Sequence, residues 1–236
     1  MEFDGLRRLV ERLIGPHCGL CGASGATEGL CDPCRRDLPM LPAARCPRCA
    51  LPTPDGAVCG VCLKTPPVHD GVVCPARYDF PVGALIRALK YHGRLAAARP
   101  LADLLGRAIR VETPPDLVLP MPVSPSRFAE RGYNQVTEIA RLLEPRWRDR
   151  IDPRILERTV DAPPQASLPM DKRRRNVRGA FRCSEIVRGK RVAVVDDVMT
   201  TGATLDEAAR ILKRAASSSV ADRKSTRLNS SHEDLS

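Results

Sequence analysis

Two adjacent aspartates, a hydroxyl-rich loop and a set of paired cysteines are the residues of this chain whose types and spacing can do chemistry. Asp196-Asp197 closes the apolar run Val192-Ala193-Val194-Val195 and is followed by Val198-Met199-Thr200-Thr201-Gly202-Ala203-Thr204. Paired carboxylates accept hydrogen bonds from vicinal hydroxyls or ligate a magnesium ion, but they repel a bare phosphate. Thr200, Thr201 and Thr204 offer hydroxyl donors, and Gly202 lets the backbone approach an anion or take positive φ. A sugar phosphate satisfies both halves. Asp-Asp alone would be an ordinary strand end with a turn; the whole run is a stronger signal.

Eight of the ten cysteines form four C-x-x-C pairs: Cys18/Cys21, Cys31/Cys34, Cys46/Cys49 and Cys59/Cys62. Two thiolates separated by two residues can hold one tetrahedral metal from a tight turn, and two such pairs complete a four-sulfur shell. Nine residues separate the inner cysteines of Cys18–Cys34 and again of Cys46–Cys62, so one unit occurs twice. We assign one structural zinc ion to Cys18, Cys21, Cys31 and Cys34 and a second to Cys46, Cys49, Cys59 and Cys62. An interleaved, cross-braced pairing is the alternative. A disulfide framework would need an oxidising compartment, and the start Met1-Glu2-Phe3-Asp4-Gly5-Leu6-Arg7-Arg8 lacks a signal-peptide pattern. Four thiolates leave no open position for chemistry, and the metal supplies folding energy to a segment too short to bury much core. Cys74 and Cys183 are expected to be ordinary buried residues.

These groups need elements to position them. Val192 to Val195 is apolar without alternation, as in a parallel strand covered on both faces. Asp206-Glu207-Ala208-Ala209-Arg210-Ile211-Leu212-Lys213 has helical spacing and an acidic first turn, which a positive helix end favours. The loop between them thus sits at the carboxyl end of a strand and the amino end of a helix. Open α/β sheets bind ligands there, and backbone amides can hold phosphate. Upstream, Phe3, Leu6, Leu9, Val10 and Leu13 predict a short amphipathic helix within 1–16, packed on the body in preference to a membrane surface. The cysteine segment is 17–66, and composition shifts at Lys64-Thr65-Pro66-Pro67. Beyond it the pattern predicts one or two strands in Gly71–Asp79 and helices over Val82–Tyr91 and Leu95–Val111. A buried strand at Leu117–Leu119 and a basic loop from Arg127 that becomes a helix reaching Leu143 complete the pattern. Repeated strand, loop and helix imply a parallel sheet.

The chain has 236 residues, net charge +10 and a pI near 9.4, a balance that favours anionic partners. Aromatics make up only 3 %, so any stacking platform for single strands is sparse. No apolar run is long enough to span a membrane, and a cytoplasmic location is expected. Two basic stretches, Ser124–Gln135 and Lys172-Arg173-Arg174-Arg175-Asn176-Val177-Arg178-Gly179, carry guanidinium forks that suit pyrophosphate oxygens. On charge alone, a solvated face or a nucleic-acid patch explains them equally well.

Val194 to Thr204 resembles the phosphoribosyl-pyrophosphate (PRPP) signature of type I phosphoribosyltransferases. The resemblance implies that Asp196 and Asp197 hold the ribose hydroxyls, with Mg2+ accompanying PRPP. It implies likewise that Thr200, Thr201, Gly202, Ala203 and Thr204 wrap the 5′-phosphate. The order of parts is similar to the ComF/GntX family over residues 3–216: C-x-x-C ribbons, Leu89-Lys90-Tyr91, Arg131-Gly132-Tyr133-Asn134-Gln135, Gln165, Arg173-Arg174-Arg175-Asn176-Val177, then the signature. That family implies an α/β fold, a type I phosphoribosyltransferase-like parallel sheet flanked by helices over 67–216, preceded by a small zinc-ribbon domain. Lys90, Arg127, Arg131, Arg173 and Asn176 become candidates for pyrophosphate. The implied role is PRPP binding linked to DNA uptake in competence or to DNA utilisation, with single-stranded DNA and competence-machinery proteins as partners. An active transferase on an unidentified acceptor and a structural zinc-ribbon adaptor are the alternatives, and the intact signature argues against the second.

By the same resemblance a final hydrophobic strand should follow the signature helix. Residues 217–236 instead form a polar, aperiodic tail. Lys224–His232 resembles translated adapter sequence and is expected to be foreign to the fold, leaving one edge of the sheet uncovered.

Overall fold

The computed structural model of the chain describes residues 16–109, 114–160 and 179–217. The expected amino-terminal helix, the second basic stretch with Gln165, Arg173 and Asn176, and the polar tail from 218 lie outside these residues.

Each cysteine unit is built from the same two turns. The Cys18 and Cys46 amides donate to the Ala23 and Leu51 carbonyls, both at 2.8 Å, while the Gly22 and Ala50 amides turn back to the Cys18 and Cys46 carbonyls. The second C-x-x-C of each unit opens a one-turn helix, α1 (Asp32–Arg36) after Cys31 and α2 (Gly60–Lys64) after Cys59. The first turn needs positive φ at its fifth position. Gly22 takes it at φ 76° without strain, whereas Ala50 takes it at φ 60° with a Cβ in the way.

The ribbons are fastened to the rest of the chain. Leu30, Ala26 and Leu38 share one apolar cluster with α3 (Val82–Tyr91) and α4 (Ala98–Ala108). Gly29 lies so close to α4 that a Cβ there would come within 2.9 Å of Pro100 Cδ. Arg35 pairs with Asp103 of α4, and Arg99 with Glu28 at 3.1 Å. The helix expected at Leu95–Val111 is a 3-10 turn (Leu95–Ala97) leading into α4, which ends at Ala108.

β1 (Leu117–Pro120) pairs in parallel with β4 (Val192–Val195), Leu117 opposite Val192 and Pro120 opposite Val195. Ile151 adds a parallel bridge to Val118 on the far side of β1. Between them run α5 (Pro125–Arg131), α6 (Gln135–Ala140), α7 (Pro145–Arg148) and an antiparallel ladder of β2 (Leu156–Arg158) with β3 (Phe181–Cys183). α8 (Ala203–Ser217) follows β4. Helices therefore flank a parallel sheet, as the spacing predicted.

Three local expectations are corrected. Gly71–Asp79 is not a strand: it forms one isolated bridge, Met40–Ala76, and a Val72 amide bond to the Pro47 carbonyl, since Pro75 has no amide for a ladder. The basic stretch expected to start as a loop is helix α5, because Pro125 suits a first helical position and Gly132 at φ 78° stops it. β4 is covered on both faces as expected, with Val192 in one apolar cluster and Val195 in the other, while Ala193 and Val194 are half-buried. Cys74 and Cys183 are likewise half-buried. Among the described residues no strand pairs with the other edge of β4. A cavity of about 200 Å³ flanks β4, with Val73, Ile86, Leu104, Trp147 and Val194 in its wall, and reaches Asp196 and Asp197 at one end.

Candidate functional site

Parallel pairing of β1 and β4 brings both carboxyl ends to one crevice, the usual ligand position in an open α/β sheet. Asp196 and Asp197 follow β4; Arg131 to Gln135 follow β1 by way of α5. Each of those five residues then does one thing. Arg131 ends α5 and lies over the Tyr91 ring at 5.5 Å. Gly132 turns the chain in the left-handed region, its amide donating to the Phe128 carbonyl. The Tyr133 hydroxyl donates to the Leu89 carbonyl, tying the turn to α3. Asn134 caps α6 by accepting from the Val136 amide at 2.9 Å, while its Nδ2 donates to the Met121 carbonyl. Gln135 is buried, accepts from Arg131 Nη1 at 2.7 Å, and donates from Nε2 to Asp197 Oδ2 at 2.9 Å.

Lys90, from the carboxyl end of α3, completes the network with Nζ 2.9 Å from Asp197 Oδ1. Both Asp197 oxygens are thus engaged, and its side chain is 6 % exposed. Asp196 accepts the Asp197 amide at 2.9 Å. Burial, and then the Asp197 charge, push the Asp196 carboxyl up to about 7, against the opposing pull of that amide, Lys90 and Arg158. The crevice therefore holds one carboxylate fixed between Lys90 and Gln135 beside another that burial raises above the usual carboxylate range. Of the basic candidates, Lys90 and Arg131 join this network. Arg127 lies half-buried on α5 outside it, and Arg173 and Asn176 fall outside the described residues.

The loop beyond the acids leads into the amino end of α8. Thr200 is exposed, Gly202 takes φ 72°, and Thr201 Oγ1 accepts from the Ala203 amide at 3.4 Å. The ladder of α8 starts with Asp206 N–H donating to the Gly202 carbonyl at 2.8 Å. The amides of Ala203, Thr204 and Leu205 precede that bond at the positive end of a long helix, a geometry that holds phosphate.

Sequence reasoning missed three groups. Gln135 was legible only as part of a motif. Arg158, at the end of β2, contributes charge toward Asp196. Asp206 and Glu207, expected only to complement the helix end, are tethers. Asp206 Oδ1 accepts from the Val68 amide at 2.7 Å and from His69 Nδ1 at 2.8 Å, and buried Glu207 accepts from the Gly179 amide at 2.8 Å. Burial would raise Asp206, but the His69 ring and the amides outweigh it and hold the carboxyl below its usual range. No periodicity marks such partners, which lie far apart in the chain.

The cysteines gather as Cys18, Cys21, Cys31 and Cys34 in one group and Cys46, Cys49, Cys59 and Cys62 in the other, the sulfurs of each within 4.8 Å of one another. The pairing is sequential and not interleaved. The Cys21–Cys31 and Cys49–Cys59 sulfurs are 3.7 and 3.6 Å apart. A tetrahedron with zinc–sulfur bonds of about 2.3 Å has edges of about 3.8 Å, so both clusters fit structural zinc. Burial raises the Cys18 thiol, yet amides of Cys21, Cys31 and Leu20 bring it down to about 6. Cys46 is lowered to about 6 against burial in the same way, by amides of Cys59, Arg48 and Cys49. At Cys18 and Cys46 backbone amides thus favour the thiolate that a metal needs, whereas the Cys31 thiol raises Cys34 and burial raises Cys49 and Cys62. Among the described residues no helix is long and apolar enough to cross a membrane.

Paired four-cysteine clusters joined to a parallel α/β unit with an acid pair and a threonine–glycine loop define a double zinc ribbon protein of the phosphoribosyltransferase type. Accordingly, the double zinc ribbon domain family matches residues 9–63 and the phosphoribosyl transferase domain family matches residues 150–232. The chain is 34 % identical over 221 residues to the DNA utilization protein YhgH of Escherichia coli O6:H1, covering 86 % of this chain and 93 % of that protein. It is 32 % identical over 200 residues to Competence protein F of Haemophilus influenzae, covering 80 % and 86 %. Competence protein ComFC of Streptococcus pneumoniae is 23 % identical over 195 residues, covering 81 % and 84 %. The chain belongs to the ComF/YhgH family. No solved structure matches it.

Proposed function

We propose that the crevice between β1 and β4 binds PRPP or a closely related sugar phosphate. The observation that carries this reading is the meeting of Asp196 and Asp197 with Arg131, Gln135 and Lys90 beside the helix-end loop Thr200–Thr204. The loop and its threonines take the 5′-phosphate. Asp196 takes the ribose hydroxyls, with Asp197 joining once Lys90 turns from it to the pyrophosphate. Magnesium, held by the two acids with the ligand, would neutralise pyrophosphate charge. Arg127, Arg131, Arg173 and Asn176 are the further pyrophosphate candidates. The ribbons, 17–66, serve as a zinc-held scaffold for the transferase-like domain, 67–216.

The relatives' names speak of DNA utilisation and competence, and we assign this chain the same role, acting in the cytoplasm with single-stranded DNA and uptake proteins as partners. Exposed Tyr91 and Phe128 beside Arg131 and Arg127 offer bases a stacking and phosphate surface. Transfer to an acceptor remains the second reading, favoured by the cavity that opens beside Asp196. The test is calorimetric titration with PRPP and magnesium. Micromolar binding lost in Asp196→Asn/Asp197→Asn supports the reading, and no binding by the folded, zinc-loaded protein refutes it. Arg173→Ala should lower the salt dependence of DNA binding by about one unit of slope if that residue meets a phosphate.

A further inference from the structure

His69 lies in the segment that joins the second ribbon to the sheet, is buried at 7 % exposure, and has both ring nitrogens committed. Nε2 is 2.8 Å from the Arg48 carbonyl and Nδ1 is 2.8 Å from Asp206 Oδ1. Both partners are acceptors, so each ring nitrogen donates. The two ends of this bridge belong to different sites. Pro47 and Arg48 are the residues between Cys46 and Cys49, and their carbonyls are held by the Val72 amide at 2.9 Å and by His69. Arg48 Nη1 returns a bond to the His69 carbonyl at 3.2 Å. At the other end, Asp206 also donates its amide to the Gly202 carbonyl, and a Cβ on Gly202 would stand 3.6 Å from His69 Cε1. Lys213 braces the same segment through the Val68 carbonyl at 2.7 Å and Asp70 at 2.8 Å.

We propose that His69 is a positioning residue that couples the second zinc ribbon to the phosphate loop, so that metal held by Cys46, Cys49, Cys59 and Cys62 orders Gly202 and the first turn of α8. The identity of the loop's ligand rests on the reading above; the coupling itself does not. A ribbon of this size folds on its metal. Without metal the Cys46–Cys49 turn loses its shape, the Arg48 carbonyl leaves His69, and the imidazole no longer holds Asp206 against the loop. The first ribbon docks instead on α4 through Arg35 and Glu28, away from this bridge. Linkage is reciprocal: whatever orders the loop must tighten the second ribbon and leave the first unchanged.

The experiment uses the full chain. Hydrogen exchange is followed in peptides covering residues 199–207, with a peptide over β1 as internal reference, in wild type, Cys59→Ser/Cys62→Ser and His69→Gln. Loss of a buried hydrogen bond to a charged group predicts exchange about tenfold or more faster at 199–207 in both variants, with β1 unchanged. Unchanged exchange at 199–207, or an equal rise over β1, overturns the coupling. If the cysteine variant does not fold, His69→Gln decides alone. In the reverse direction, the chain is loaded with cadmium-113 at both ribbons and titrated with magnesium PRPP. The second-ribbon resonance alone should shift, and His69→Gln should abolish the shift while binding persists by calorimetry. A shift that survives His69→Gln also overturns the proposal. Absence of PRPP binding refutes the ligand reading, and the exchange data then decide the coupling.

Discussion

Lys90→Met tests whether the crevice is held by its ion pair. The substitution keeps the apolar stem and removes the ammonium 2.9 Å from Asp197 Oδ1. Asp197, 6 % exposed, would keep its bond to Gln135, and Asp196 beside it would lose a cation that lowers its pKa. Breaking one side of a buried pair costs about 3–5 kcal/mol. Lys90 is 19 % exposed, so partial screening brings the expectation to about 2–3 kcal/mol. Asp197→Asn should cost about 1 kcal/mol, since the lysine can swing to water. The double variant should then be about 2 kcal/mol better than the sum of the singles. The pH dependence has a definite sign. Asp196 is raised to about 7, so the folded chain keeps a proton that the unfolded chain releases. Stability therefore falls as pH rises from the ordinary carboxylate range through 7, and the penalty is complete above it. Without Lys90 that penalty grows, so the deficit should be larger at about pH 8.5 than at about pH 6.5. The assay is urea unfolding of zinc-saturated protein at both values, mild enough to keep the thiolates metallated. A deficit below about 0.5 kcal/mol, an additive cycle, or equal deficits at the two pH values would refute the argument.

Gln135→Glu keeps a partner for Arg131 but sets a third carboxylate against Asp197. The new acid should be raised in the folded state, so the variant should match wild type in mild acid and lose melting temperature as pH rises; a pH-independent loss counts against the Gln135–Asp197 bond. Metal analysis should find two zinc ions per chain, and Cys34→Ser should release one; a single zinc in wild type would undo the two-cluster assignment. Gly22→Ala has room for its methyl but must hold φ 76°, costing about 1 kcal/mol and about fivefold in metal retention against a chelator. Ala50→Gly should change little, because relief of strain at φ 60° is offset by a lost buried methyl and a more flexible unfolded chain. Equal effects at the two positions would count against the backbone-strain argument.

The parts of the site that were legible are those whose chemistry is contiguous. Asp196 to Thr204 declares a strand end, an acid pair and a hydroxyl-rich loop because all three features are contiguous in the chain. The cysteine pairs do the same, since a chelate turn leaves its spacing in the sequence. Sheet and helices followed from apolar periodicity, and that reading failed where a proline or glycine reset the backbone. Pro75 keeps 71–79 from strand pairing, and Pro125 with Gly132 makes a short helix of an apparent loop. The contacts between distant segments were not legible. Asp197 meets Gln135 and Lys90 only because β1 and β4 are parallel and in register, a property that neither strand carries alone.

Asp206 and Glu207 show why local rules misassign such residues. Acids in a first helical turn need no partner beyond the helix end, and most are read correctly that way. On α8, however, that turn stands between the Thr200–Thr204 loop and two segments crossing it, one from the second ribbon and one entering β3 at Gly179. The Val68 and Gly179 amides of these segments find their acceptors in the two carboxylates, at 2.7 and 2.8 Å. The acids that suit the helix dipole thus fix where the ribbon and the β2–β3 ladder sit relative to the loop. Charge at this helix end is doing positional work, so neutralising Asp206 should disturb the loop more than it disturbs the helix: Asp206→Asn should speed hydrogen exchange at residues 199–203 while the last two turns of α8 exchange as in wild type. Uniform fraying of α8 would instead return Asp206 to the simpler dipole role.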